Sequence, residues 1–179
     1  MKVYFYSDFG YIVCAETTMG NTPMRVVINP VTVLKSNVTI AALGSAIFRS
    51  LEQSRNAQPV SRKEIDKYYF WQVSGIKGFA SFSKKFSCIT IREKGNVLYL
   101  SKLVREKDGS YTEPINQSPM EISANIAAER LGEIVFNLFL GSSEQCTETT
   151  MTFETVHNRT VTYRRPSDAY LDCGDGHTD

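Results

Sequence analysis

No apolar stretch in these 179 residues approaches the ~18 consecutive residues that a membrane-spanning helix needs, so the sequence offers no candidate span. The opening MKVYFYSDFG starts an apolar run, but Asp8 interrupts it before signal-peptide length, and the expected compartment is the cytoplasm. No CxxC pair is present. Cys14, Cys88, Cys146 and Cys173 are widely spaced, and the first two fall in apolar, strand-like segments, which reads as buried free thiols under reducing conditions. Histidine is scarce: only His157 and His177 occur, neither beside a cysteine pair, so no metal site is expected. GxSxG, HExxH and a phosphate-cradling glycine loop are all missing. CGDGH, at 173–177, reads as a loose terminal loop rather than a metal site. Without an activated nucleophile, an acid–base pair or a ligand set, the sequence does not read as an enzyme, and no cofactor is expected.

Lysine stops at Lys107. Residues 1–109 hold 16 Lys+Arg against 8 Asp+Glu, and residues 110–179 hold 4 Arg against 11 Asp+Glu. The net charge of +1 therefore hides a basic half of +8 and an acidic half of −7. Such a division sets up opposite fields for charged partners unless folding intermixes the halves.

What is present is an ordinary globular composition, 42% hydrophobic and 22% charged, long enough for one core without covalent staples. The expected organisation is a single domain over 1–170 with a loose tail at 171–179. VYFYSD (3–8) and YIVCAE (11–16) read as strands joined near Gly10, and MRVVI (24–28) and VTVLK (31–35) as further β-rich runs. The period then changes. Ile40, Leu43, Ile47 and Leu51 form a helical stripe over 39–55, with Asn37 or Thr39 as cap. NAQPVSRKE (56–64) is a polar connection.

The second half repeats the plan. YYFWQV (68–73) is a strand candidate, CITIRE (88–93) and NVLYLSKLV (96–104) form a hairpin about Lys94-Gly95, and SYTEPI (110–115) adds a strand that Pro114 confines to an edge. A helix over 123–140 follows, with Ile126, Leu131, Ile134, Val135, Leu138 and Phe139 in its stripe, Ser123 as N-cap and Gly141 beyond its end. MTFETV (151–156) and RTVTYR (159–164) suit a hairpin. The two helices share LGSAIF (43–48) and LGEIVF (131–136). A glycine inside a helix costs about 1 kcal/mol relative to alanine, so its recurrence at one position points to a close backbone contact, helix on helix or helix on sheet. The expected fold class is α+β: antiparallel β-sheets with flanking helices, built from duplicated strand–helix halves.

The stretch FWQVSGIKGFASFSKKFSCITIREKGNVLYLSKL resembles immunity proteins of bacterial contact-dependent growth inhibition systems. The likeness runs over about residues 68–104, with Trp71, Gly75, Ile76, Lys77, Phe79 and Phe82 at its centre, and fits the LGEIVF helix more loosely. The resemblance implies a pair of antiparallel sheets with flanking helices, similar to Whirly-type single-stranded nucleic-acid binders. It also implies a cytoplasmic inhibitor of one cognate toxin domain, typically a nuclease, bound 1:1 and in some members partly by β-augmentation. Those shared residues have the character of scaffold, so no partner-contacting position carries over individually.

Phe79, Phe82 and Phe86 beside Lys84-Lys85 allow two readings. Ile76, Phe79 and Phe82 are spaced by three, which suits a helical turn with one buried face; each phenylalanine gains about 1.5–3 kcal/mol by burial while the lysines reach water. Alternatively the rings are a base-stacking platform for single-stranded nucleic acid edged by the two lysines. The small net charge favours the core reading. For a toxin with a basic, nucleic-acid-binding surface, the acidic half supplies the candidate contacts Glu113, Glu144, Glu148, Glu154, Asp168 and Asp172, flanked by the possible anchors Tyr111, Tyr163 and Tyr170. Tyr111 also lies on the edge strand, where a partner strand can add.

Overall fold

The computed structural model describes residues 1–65 and 69–141. The chain begins with a hairpin of β1 (Lys2–Tyr6) and β2 (Gly10–Cys14), bends at buried Ala15 into β3 (Glu16–Thr18), and pairs that with β4 (Arg25–Val27) as a small two-stranded sheet. Next, β5 (Thr32–Leu34) returns to pair with β2, and α1 (Ile40–Asn56) follows, its first turn capped by the Thr39 hydroxyl, which accepts from the Ala42 N–H. A single helical turn, α2 (Arg62–Ile65), leads to a 3₁₀ turn at Phe70–Ser74 and to α3 (Phe79–Lys85). The second half contains β6 (Ser87–Lys94), β7 (Val97–Arg105), β8 (Tyr111–Thr112), β9 (Met120–Ser123) and α4 (Ala128–Leu140).

Seven of these strands make one antiparallel sheet, ordered β5-β2-β1-β6-β7, with β8 and β9 end to end along the outer edge of β7. The expected duplication is visible in this order. Strands β1, β2 and β5 with α1 match β6, β7 and β9 with α4, and the halves join where β1 pairs antiparallel with β6. The α+β class with antiparallel strands and flanking helices is therefore observed, with both halves merged into one sheet.

Pleating sends alternate residues to opposite faces. Val3, Tyr11, Val13, Ile89, Ile91, Leu98 and Leu100 face α1 and α4, where Leu43, Ile47, Leu51, Leu131, Val135 and Phe139 meet them. The paired glycines explain how two helices share one sheet face. A Cβ on Gly44 would stand 1.7 Å from the Ala128 carbonyl oxygen, and one on Gly132 would stand 2.1 Å from that of Ile40. In each case the oxygen belongs to the residue one turn before the other glycine. The contact inferred from the repeated LG motif is thus helix on helix.

Tyr4, Ile12, Cys14 and Cys88 face the other way, into a second cluster with Phe70, Phe82 and Phe86. Phe82 is fully buried, Phe86 nearly so, and their rings stack at 4.2 Å. Phe79 and Ile76 pack on this cluster, while Lys84 and Lys85 are exposed. The phenylalanines are core, and the base-stacking reading does not hold for them. Cys14 and Cys88 are buried free thiols, and burial drives both thiols up, Cys88 to about 12.

Two local expectations are corrected. YYFWQV is no strand from Phe70 on: Phe70–Ser74 is a 3₁₀ turn, because Phe70 packs edge to face with Phe79 and Phe82 and Trp71 packs at a tilt on Phe79, instead of alternating across a sheet. The second long helix starts at Ala128 with Ala127 as N-cap, not at Ser123. Residues 120–123 are strand, since Met120 and Ile122 pair with Leu100 and Leu98 on the helix-covered face. SYTEPI shortens to Tyr111–Thr112, at the edge as expected.

Candidate functional site

The two helix layers cover the sheet unequally. The register pairs Thr90 with Ser101 and Arg92 with Tyr99, on the same face as Cys88 and Leu103. The 3₁₀ turn and α3 cover Cys88 and Leu103 but not the opposite end. There, β6 also runs past its neighbour: Met1 exchanges backbone hydrogen bonds with Ile91, whereas Arg92, Glu93 and Lys94 have no partner on the β1 side among the described residues. Alternation turns the Glu93 N–H and C=O toward that vacant side.

A groove of about 730 Å³ lies at this end. Its lining includes Met1, Arg25 of β4, Ser54 and Arg55 of α1, the β6–β7 hairpin from Ile91 to Gly95, Tyr99, and Glu113 and Pro119 from the segment between β8 and β9. Such a volume is within the usual range of ligand clefts. Arg55, Arg92 and Arg25 keep 59%, 60% and 47% of their side chains exposed. Arg55 Nη2 stands 2.8 Å from Glu93, and Arg92 Nη2 stands 2.8 Å from Glu113. These are exposed pairs, worth little stability, but they fix the directions of both guanidiniums at the rim.

Behind the groove lies a buried carboxylate. Glu16 is surrounded by the Met1 ammonium at 3.3 Å, Lys2 Nζ at 3.2 Å and Arg25 Nε at 3.8 Å. Its backbone N–H donates to Ser54 Oγ, which donates to the Ser50 carbonyl, so β3 is tied to α1. Burial alone would raise the Glu16 pKa, but the Met1 ammonium and Lys2 outweigh it and hold the carboxyl below its ordinary range. The Met1 amine is held below its ordinary value chiefly by burial, with Glu16 opposing. This cluster sets the Met1 end of β1 and the position of Arg25, two parts of the groove wall.

Of the residues read from the sequence as partner contacts, Glu113 is at the groove. Tyr111 is two residues away, but its side chain turns inward: the hydroxyl donates to the Phe86 carbonyl, with the Ser83 carbonyl at 3.3 Å, and the ring packs edge-on against Tyr4 and Phe79. Burial drives its pKa far up. Only its backbone, on β8, belongs to the edge. Glu144, Glu148, Glu154, Tyr163, Asp168, Tyr170 and Asp172 lie outside the described residues, as do Cys146, Cys173, both histidines and the hairpin expected at 151–164. Arg25, Arg55, Arg92, Lys94 and Glu16 were not singled out by sequence. The available signal was the REK run that prolongs an apolar strand, and a lone glutamate closing the apolar YIVCA. Among the described residues, no group of three or more His, Cys, Asp or Glu gathers as a metal-ligand set, and no helix is long and apolar enough to cross a membrane.

No protein-family model and no curated protein matches the sequence. Solved structures do match in fold. A chain of the CdiA-CT/CdiI toxin and immunity complex from Yersinia pseudotuberculosis superposes with a TM-score of 0.57 at 12% identity, over 74% of this chain and 90% of that one. A protein of unknown function from Neisseria meningitidis gives a TM-score of 0.56 at 13% identity, over 74% and 87%. The likeness is one of fold. It covers almost the whole of each neighbour, and one of them comes from a toxin–immunity assembly.

Proposed function

We propose that this chain is an immunity protein that binds and neutralises the C-terminal toxin domain of a contact-dependent growth inhibition system. The observation that carries this reading is the fold shared with a chain of the toxin and immunity complex over 90% of that chain's length. Support comes from the fold alone, since no family model matches the sequence. In this reading the protein acts in the cytoplasm by 1:1 binding, without turnover or cofactor, and its toxin is a nuclease. Its contacts include Glu113 and the β8 backbone at Tyr111, with the acidic residues and tyrosines from Glu144 to Asp172. A toxin strand adds to an open sheet edge, either the outer side of β8 or the vacant side of β6 at Glu93.

Co-expression with the toxin domain encoded just upstream tests this. The expected result is a stoichiometric complex on purification and survival of cells that otherwise die. No complex and no protection would remove the proposal.

A second reading, single-stranded nucleic-acid binding, passes from the buried phenylalanines to the groove, where Arg25, Arg55, Arg92 and Lys94 stand near Tyr99. Filter binding to single-stranded DNA at low salt tests it; this reading expects tight binding with a steep salt dependence.

A further inference from the structure

We infer that the groove receives an acidic polypeptide segment of the toxin domain, so that at this end of the molecule the charge complementarity runs opposite to that expected of the acidic half. The inference rests on the proposed immunity function and names the chemistry that one part of the partner must carry.

The lining contains four cations, Arg25, Arg55, Arg92 and Lys94, against two carboxylates, Glu93 and Glu113. All four cations come from the basic half of the sequence, so folding has gathered them here rather than cancelling them. Both carboxylates are already occupied by Arg55 and Arg92. Lys94 has no carboxylate partner among the described residues, and Arg25 reaches Glu16 only at 3.8 Å, with its own side chain half exposed. An incoming carboxylate therefore meets two cations with unspent capacity and two guanidiniums already oriented. Opposite charge at such a rim speeds encounter and rejects wrong partners.

A polypeptide fits better than a nucleic acid for two reasons. The lining carboxylates would face a uniformly negative phosphate backbone, whereas a peptide can set donors against Glu93 and Glu113 and carboxylates against Lys94 and Arg25. Tyr99 is the single aromatic side chain in the lining among the described residues, so the groove offers no series of rings on which successive bases could stack.

The test uses the full chain and the purified C-terminal domain of the toxin encoded upstream. Arg92→Glu/Lys94→Glu reverses two exposed charges on the groove face, and Lys84→Glu/Lys85→Glu makes the same change in charge on α3, outside the groove lining. Thermal unfolding checks that both variants remain folded. The groove variant is expected to slow toxin association by about tenfold or more at low salt and to flatten its salt dependence, and the α3 variant is expected to leave both near wild type. Equal effects of the two variants, no effect, or faster association of the groove variant would each overturn the inference while leaving the immunity reading intact. A wild-type chain that binds no toxin overturns both. Single-stranded oligo(dT) is the competing probe. If it binds the wild type, is lost in the groove variant, and toxin binding is unchanged, then the groove's occupant is nucleic acid and the inference fails.

Discussion

On one face of the sheet, α1 and α4 approach until glycine backbones touch, and the strand residues below them are almost all buried. On the other, a 3₁₀ turn and the seven-residue α3 cover one end with stacked aromatics and leave Thr90, Arg92, Tyr99 and Ser101 under no helix. The first face has no slack, and its polar side chains are engaged by the helices above it: Lys102 donates to the Phe139 carbonyl and Glu93 accepts from Arg55. The second spends its apolar residues at one end and leaves charged ones at the other. The comparison separates the part that closes the fold from the part left open: one face is sealed by helices, and the incomplete one is where the proposed function would place a partner.

Substitutions on either side can break this contrast. The largest effect is expected for Gly44→Leu. Its side chain would have to occupy the space of the Ala128 backbone, so the helices must separate, and no cooperative urea transition should remain. A folded Gly44→Leu chain would mean that the helix-covered face has slack after all. Phe82→Ala empties the centre of the other cluster and should cost about 3–5 kcal/mol in urea unfolding. A loss below about 1 kcal/mol would show that the aromatic end is not a core comparable to the first.

Glu16→Gln sharpens the boundary between the faces. It leaves the Met1, Lys2 and Arg25 charges without their carboxylate and should cost about 2–3 kcal/mol at pH 7. The sign of the pH dependence follows from the depressed carboxyl. The wild-type contribution is fully present above the ordinary value of 4.5 and is lost as pH falls through the lower folded-state value. Wild-type stability should therefore fall toward the variant's in acid, and parallel stability–pH curves would contradict it. The smallest effect is expected for Tyr111→Phe. It removes the hydroxyl's bond to the Phe86 carbonyl but keeps the ring, and should cost about 1 kcal/mol. It should leave toxin binding unchanged, since that side chain points inward; a large loss of binding would restore Tyr111 as an anchor.

Where the sequence could be read, periodicity made it legible. Leu43, Ile47 and Leu51 recur at helical spacing and are buried together, and the shared LG motif announced both a duplication and a close contact. The YYFWQV error has a plain cause. Aromatic runs favour strands by propensity, but Phe70 and Trp71 gain more from ring contacts with Phe79 and Phe82 of α3 than from a ladder. Residues 120–123 failed for the opposite reason. Met120 and Ile122 keep a period of two for only four residues, too short to register beside the helical stripe that follows.

Local period and residue type were enough to read the alternation of strands and helices, their duplication and the buried thiols of Cys14 and Cys88, and they favoured a core role for the phenylalanines without closing the alternative. Long-range packing alone set which of the many cations stand together and enclosed a carboxylate with Met1, Lys2 and Arg25. It also decided that β6 outruns β1 to leave a groove. Those facts depend on strand register and on where a helix stops covering a sheet, and both are set by contacts between residues distant in the chain.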